Sequence, residues 1–143
     1  MTPESTQSQI RRILDRWADA VRAKDSKALT ANFAPDVVVF DLIDPLKYDG
    51  LEALKQRAAQ WLSAFQGPVS YETEDLRITT GDDVAFCHSL NHVKGTTVKG
   101  KIDMRWRATV CFQKIDGQWT VTHEHSSVPF NMETGQASLD LRT

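Results

Sequence analysis

The feature that most constrains this chain is a change of periodicity at Gly67-Pro68. Before it, apolar residues recur at helical spacing. After it they alternate, in stretches punctuated by glycines at 81, 95, 100 and 117. In the first half, Ile10, Ile13, Leu14, Trp17, Ala20 and Val21 form one stripe, which predicts an amphipathic helix. Thr2 suits its cap and Pro3 its first turn. Asp25 and Ser26 can cap a short second helix carrying Leu29 and Phe33, which Pro35 ends. Gly50 precedes a third helix with Leu51, Leu54, Ala58, Trp61, Leu62 and Phe65 on one face, stopped by Gly67-Pro68. Between the last two lies the β-branched run Val37-Val38-Val39-Phe40, a buried strand with Asp41 directly behind it. Asp44-Pro45 reads as a turn, and Leu46 to Tyr48 as a brief strand.

The second half predicts strands from Val69 onward, over Val84 to Lys94, Ile102 to Ile115 and Trp119 to Val128. The alternation slips parity between Thr73 and Leu76, which places a bulge near Glu74-Asp75. Asp116-Gly117 is a hairpin signal. Helices followed by strands imply an α+β domain, with a curved antiparallel sheet wrapped around the N-terminal helices as a cone-shaped barrel enclosing a cavity. At 143 residues the chain fits one domain, with a core over 1–130 and a polar tail over 131–143. Trp106, Val110, Phe112, Trp119 and Val121 are more apolar residues than one sheet face is expected to hold. They predict a second apolar face and hence a homodimer.

Charge narrows the partners. Lys plus Arg is 17 against 19 for Asp plus Glu, so there is no basic surplus for nucleic acid. No apolar run approaches membrane-spanning length, and Met1 to Gln9 lacks the apolar core of a secretory signal. Cys87 and Cys111 make no disulfide framework. A cytoplasmic location is expected, with both thiols as small buried hydrophobes. The chain has no phosphate-binding glycine loop, nucleotide fingerprint or nucleophile elbow, so neither a cofactor nor nucleophilic catalysis is expected.

The order of these signals resembles the SnoaL-like, ketosteroid-isomerase-like superfamily, also called nuclear transport factor 2-like. The residues that carry the resemblance are Trp17 in the opening helix, Ala23-Lys24-Asp25, and Phe33-Ala34-Pro35-Asp36 leading into Val37 to Asp41. Gly50 and the closing segment from Asp116 to Ser126 complete it, nearly to Phe130. The resemblance implies a cone-shaped cavity, usually a dimer, and uses that range from isomerases, cyclases, hydrolases and dehydratases to domains with no catalysis. Asp41 matches the aspartate that moves the proton in ketosteroid isomerases; read alone, it could equally cap the turn behind it. Trp17 matches a tyrosine that donates to the developing oxyanion, or it is core. The isomerases' second donor, a protonated acid on the long strand, falls near Thr109 or Val110, neither of which is an acid. The chain therefore departs from the steroid isomerases.

The remaining candidates are aromatic residues and histidines. Tyr48, Trp61, Phe65, Phe86 and Trp106 would shape a pocket for a small apolar or weakly anionic molecule, with His123 and His125 on the last strand. His88 would face the cavity by resemblance to the association domain of calmodulin-dependent kinase, as an acid, base or charge-stabilising group. A two-residue turn at Asp116-Gly117 would place His123 opposite Val110, and a three-residue loop would place it opposite Thr109. Metal ligation by the pairs His88/His92 and His123/His125 is a third reading, and no metal is the expected one. The leading expectation is a small-molecule-binding domain, acting as a cofactor-independent isomerase, cyclase or dehydratase by proton transfer at Asp41. The alternative is a non-catalytic ligand-binding or dimeric association module.

Overall fold

A computed structural model describes residues 4–142. Helix α1 (Thr6–Arg22) is capped by Ser5, whose hydroxyl accepts from the Ser8 N–H at 3.2 Å. The Thr2 and Pro3 start signal lies outside the described residues. Helix α2 (Ser26–Leu29) is a single turn capped by Asp25, which accepts from the Ala28 N–H at 3.0 Å. Phe33 does not extend it. Strand β1 (Phe33–Phe40) begins there, and Pro35 lies within the strand. Proline is tolerated because the β1 ladder is interrupted between Phe33 and Val38, so its missing N–H forfeits no rung. Strand β2 (Tyr48–Asp49) and helix α3 (Leu51–Ser63) follow, with Gly50 at φ +88° between them.

Strands β3 (Ser70–Thr80), β4 (Val84–Thr97), β5 (Gly100–Ile115) and β6 (Gln118–Ser127) complete one sheet in the order β2-β1-β6-β5-β4-β3. The sheet is open, with β2 and β3 at its edges. All neighbours are antiparallel except β1 and β6, which run parallel. The expected bulge is present: the β3–β4 register shifts between Glu74 and Arg77, and Asp75 adopts φ +53°.

The closing hairpin decides which residues face inward. Asp116 and Gly117, at φ +51° and +78°, form a two-residue turn with Ile115 opposite Gln118. One further residue, Thr122, then enters β6 as a bulge, so Phe112 faces Val121 while Cys111 faces His123. Neither Val110 nor Thr109 is the partner of His123. The extra residue inverts the parity of everything after it. Glu124 and Ser126 turn inward; His123 and His125 turn out.

The case for a two-sided apolar sheet does not hold. On β5, Trp106, Ala108, Val110 and Phe112 are buried, while Arg107, Thr109 and Gln113 between and beside them are exposed. Trp119 and Val121 are also buried. All five residues that suggested a second face belong to the inner one, where the helices cover them. The interior holds two clusters. One gathers Ile10, Val37, Phe112 and Val121; the other gathers Val21, Leu62, Tyr71, Val93 and Trp106. Trp17 touches both.

Candidate functional site

The second cluster does not close. It leaves a cavity of about 130 Å³ between the helices and the concave face of the sheet. Cavities of roughly 150 Å³ accommodate a benzene ring, so this volume is on the scale of a single ring. Trp17, Trp61, Phe65, Tyr71 and Trp106 supply much of its wall. Its polar groups come from Asp41, Arg57, Glu124 and Ser126.

Asp41 follows β1 and keeps the parity of the buried Val37 and Val39, which aims it into the cavity. Arg57 reaches it from α3. Its position, three residues after Leu54 and four before Trp61, lies within the apolar stripe of that helix. The Arg57 Nε donates to Asp41 Oδ2 at 3.0 Å, and the Leu42 N–H donates to Oδ1 at 2.7 Å. The two side chains are only 17% and 20% exposed, so the pair is held away from bulk water. Asp41 does not cap the Asp44-Pro45 turn.

Glu124 lies beside Val39 on the neighbouring strand, with its side chain on the cavity wall. Burial pushes its carboxyl up to about 8, the nearby Asp41 charge pushes the same way, and the Ser126 hydroxyl at 3.3 Å opposes both. At neutral pH Glu124 is therefore mostly protonated and can donate. Tyr71 is held well above the usual phenol value by burial and then by Glu124, so it stays a phenol. One cavity thus contains an ion-paired carboxylate, a neutral carboxylic acid and a phenol. Glu124 meets the description of the protonated acid sought on the long strand, but stands one strand away.

Of the sequence candidates, Trp17, Asp41, Trp61, Phe65 and Trp106 meet around this cavity. Tyr48 does not; its hydroxyl donates to the Asp44 carbonyl at 3.2 Å and its ring packs on the other cluster. Phe86 and His88 are exposed on the outer face, because β4 turns Ala85, Cys87, Asn91 and Val93 inward. The expected role of His88 beside Asp41 therefore has no geometric basis. His123 and His125 also leave the cavity through the Thr122 bulge. They flank Phe40 on the outer face, with ring centroids 4.8 and 5.3 Å from it. His123 Nδ1 lies 2.6 Å from the Val38 carbonyl, and His92 Nε2 lies 2.6 Å from Asp103.

Among the described residues, no group of three or more His, Cys, Asp or Glu side chains could hold a metal ion. Burial pushes the Cys87 thiol up to about 12 and raises Cys111 as well, so neither supplies a thiolate at neutral pH. Arg105, on the outer face of β5, pairs with Glu74.

The site residues that sequence reasoning missed are Arg57, Tyr71, Glu124 and Ser126. Arg57 had a signal in its place on the α3 stripe, and Tyr71 in its alternation with Val69. Glu124 and Ser126 had none, since their direction depends on the Thr122 bulge.

The profile of the SnoaL-like domain family matches residues 10–131. Among solved structures, an NTF2-like protein of unknown function from Pseudomonas putida is 34% identical, with a TM-score of 0.87 over 99% of this chain and 100% of that one. A protein provisionally named as a calcium/calmodulin-dependent protein kinase II association domain, from Xanthomonas campestris, is 20% identical with a TM-score of 0.74, over 87% of this chain and 88% of that one. A provisionally named dehydratase of the NTF2-like family, from Streptomyces avermitilis, is 14% identical with a TM-score of 0.75, over 88% of this chain and 97% of that one. The last two likenesses speak to the fold alone. None of the curated proteins matches the chain. No helix among the described residues is long and apolar enough to cross a membrane.

Proposed function

The chain belongs to the SnoaL-like domain family, and from that premise we propose that its cavity binds a small, largely apolar, single-ring molecule and moves a proton on it without a cofactor. The observation that carries this reading is the placement of two carboxyl groups within one aromatic enclosure, Asp41 ion-paired with Arg57 and Glu124 without a cationic partner among the described residues. Groups whose surroundings drive their protonation apart are suited to act as acid and base on one substrate.

Asp41 is the base. Arg57 fixes its direction, with Nε 3.0 Å from Oδ2. Glu124 is the acid, donating to a carbonyl or hydroxyl oxygen on the substrate, with the Tyr71 hydroxyl as a second donor at the same end. Proton removal at Asp41 and donation by Glu124 together describe an enolisation or the loss of water. General acid–base catalysis by one positioned group is worth roughly 10²–10⁴ in rate. The aromatic wall excludes water and orients the ring. Trp17 is assigned to that wall, its ring edge-to-face with Phe33 at 5.2 Å.

The second reading is a binding module with the same ligand class and no turnover. We also read the protein as a cytoplasmic homodimer. Its free thiols Cys87 and Cys111 fit a reducing compartment, and Phe40, Val84 and Phe86, exposed on the outer face, are the contact surface available to a second copy. Mass in solution checks that assembly, and a strict monomer contradicts it.

The test of catalysis uses 3-cyclohexen-1-one in D₂O, with deuterium incorporation followed by NMR. The proposal expects exchange faster than in buffer alone, lost in Asp41→Asn and in Glu124→Gln, while both variants still gain thermal stability from the ketone. Thermal stabilisation of the wild type without any exchange would favour the binding module. Neither stabilisation nor exchange would overturn the ligand class.

A further inference from the structure

The outer face of the sheet carries a second hollow, of about 160 Å³, independent of the proposal above. It exists because the C-terminal segment folds back onto the sheet. That segment, expected to be a patternless polar tail, is a tight loop. Asn131 Oδ1 accepts from the Glu133 and Thr134 N–H groups, Phe130 bridges Ala137, and the Ser138 N–H donates to the Pro129 carbonyl at 2.8 Å. The chain then returns so that Leu141 and Arg142 meet Leu90, Pro129, Arg105 and Arg107.

Three arginines therefore line one hollow with an apolar floor of Leu90, Pro129 and Leu141. The acids nearby are already engaged. Glu74 accepts from Arg105 Nε at 2.8 Å. Asp103 is shared between His92 at 2.6 Å and Arg142 at 3.3 Å. Arg107 has only the neutral Ser127 hydroxyl, at 3.1 Å. Of the three arginines, Arg107 alone has no carboxylate partner among the described residues. Arg105 Nη1 is buried out of reach of the hollow, so the exposed guanidinium groups of Arg107 and Arg142 are the ones a ligand can touch.

We propose that this hollow binds a small organic carboxylate, its oxygens on Arg107 and Arg142 and its apolar body on Leu90, Pro129 and Leu141. A guanidinium fork matches a carboxylate in geometry, and the apolar floor distinguishes such a ligand from a bare inorganic anion.

The test is an NMR titration of the full chain with benzoate, benzyl alcohol and inorganic phosphate, read at backbone amides. Benzoate is expected to shift Leu90, Arg107 and Leu141 saturably, and benzyl alcohol to leave them unmoved. Arg107→Gln and Arg142→Gln, both at exposed positions, should each weaken benzoate by about fivefold or more, as loss of a charge-assisted contact implies. These shifts should persist in Ala58→Leu, which fills the other cavity. Benzoate shifts confined to residues around Ala58, or affinity unchanged in both arginine variants, would overturn the site. Phosphate binding as tightly as benzoate would overturn the ligand class.

Discussion

The two ends of the interior are built from the same layers and hold different things. At one end, Ile10, Val37, Phe112 and Val121 are each at most 1% exposed. Their branched and aromatic side chains are buried in one cluster beneath α1. At the other end, the rings meet edge to face: Trp61 on Phe65 at 5.7 Å and 75°, and Trp61 on Trp106 at 6.2 Å and 84°. Trp61, Phe65 and Trp106 all lie on the cavity wall. Into that space the fold admits Asp41, Arg57 and Glu124, groups that the filled end excludes. The difference is between side chains that pack with one another and side chains that wait for a partner. The first kind should govern stability, and the second binding and protonation.

The largest effect belongs to the filled end. Phe112→Ala should cost about 3–5 kcal/mol in urea unfolding, because the surrounding sheet and α1 cannot collapse around the void. A loss below about 1.5 kcal/mol would erase the contrast, since that end would then be as yielding as the hollow one.

Glu124→Gln comes next, and its sign depends on pH. The folded carboxyl sits at about 8 against an ordinary 4.5, so between those values the folded state binds more protons than the unfolded one. Stability from the neutral acid is fully present below pH 4.5 and is lost as pH rises through 8. The wild type should therefore lose on the order of a few kcal/mol across that window relative to Glu124→Gln, which should be flat there. Chemical denaturation at several pH values checks this, and parallel slopes would move Glu124 out of the hollow end.

Asp41→Asn should be smaller, about 1–2 kcal/mol, because it leaves Arg57 partly buried without its charge partner. Ala58→Leu should be smallest, within about 1 kcal/mol, since the new methyl groups enter existing space rather than a packed core. It should nevertheless abolish thermal stabilisation by the single-ring ketone. A strong destabilisation would mean that the space is not there to fill.

How much of this could be read in the sequence depended on how local each cause is. Helix α3 was legible from the Leu54, Ala58 and Trp61 spacing, and the final turn from Asp116-Gly117, because each follows from neighbouring residues. The α+β layering and the family followed from the order of such signals. Pro35 misled, because its tolerance inside β1 rests on a ladder gap against a strand nearly 90 residues later. The site divides the same way. Asp41 was legible as an acid at the end of an apolar strand, and Trp61 as part of a stripe. Glu124, His123 and His125 were not, since their directions are set by the one-residue bulge at Thr122. His88 was assigned inward by likeness, and the parity of β4 around Cys87 and Val93 turns it out.

The central claim is that Glu124 is a neutral acid at physiological pH, held so by burial in the same cavity as the charged Asp41. The most direct measurement is the ¹³C chemical shift of the Glu124 carboxyl, followed by NMR from pH 3 to 10 in the wild type and in Asp41→Asn. The account predicts a midpoint near 8 in the wild type and a lower one in the variant, where the neighbouring negative charge is gone. A midpoint near 4.5, the same in both proteins, would contradict it.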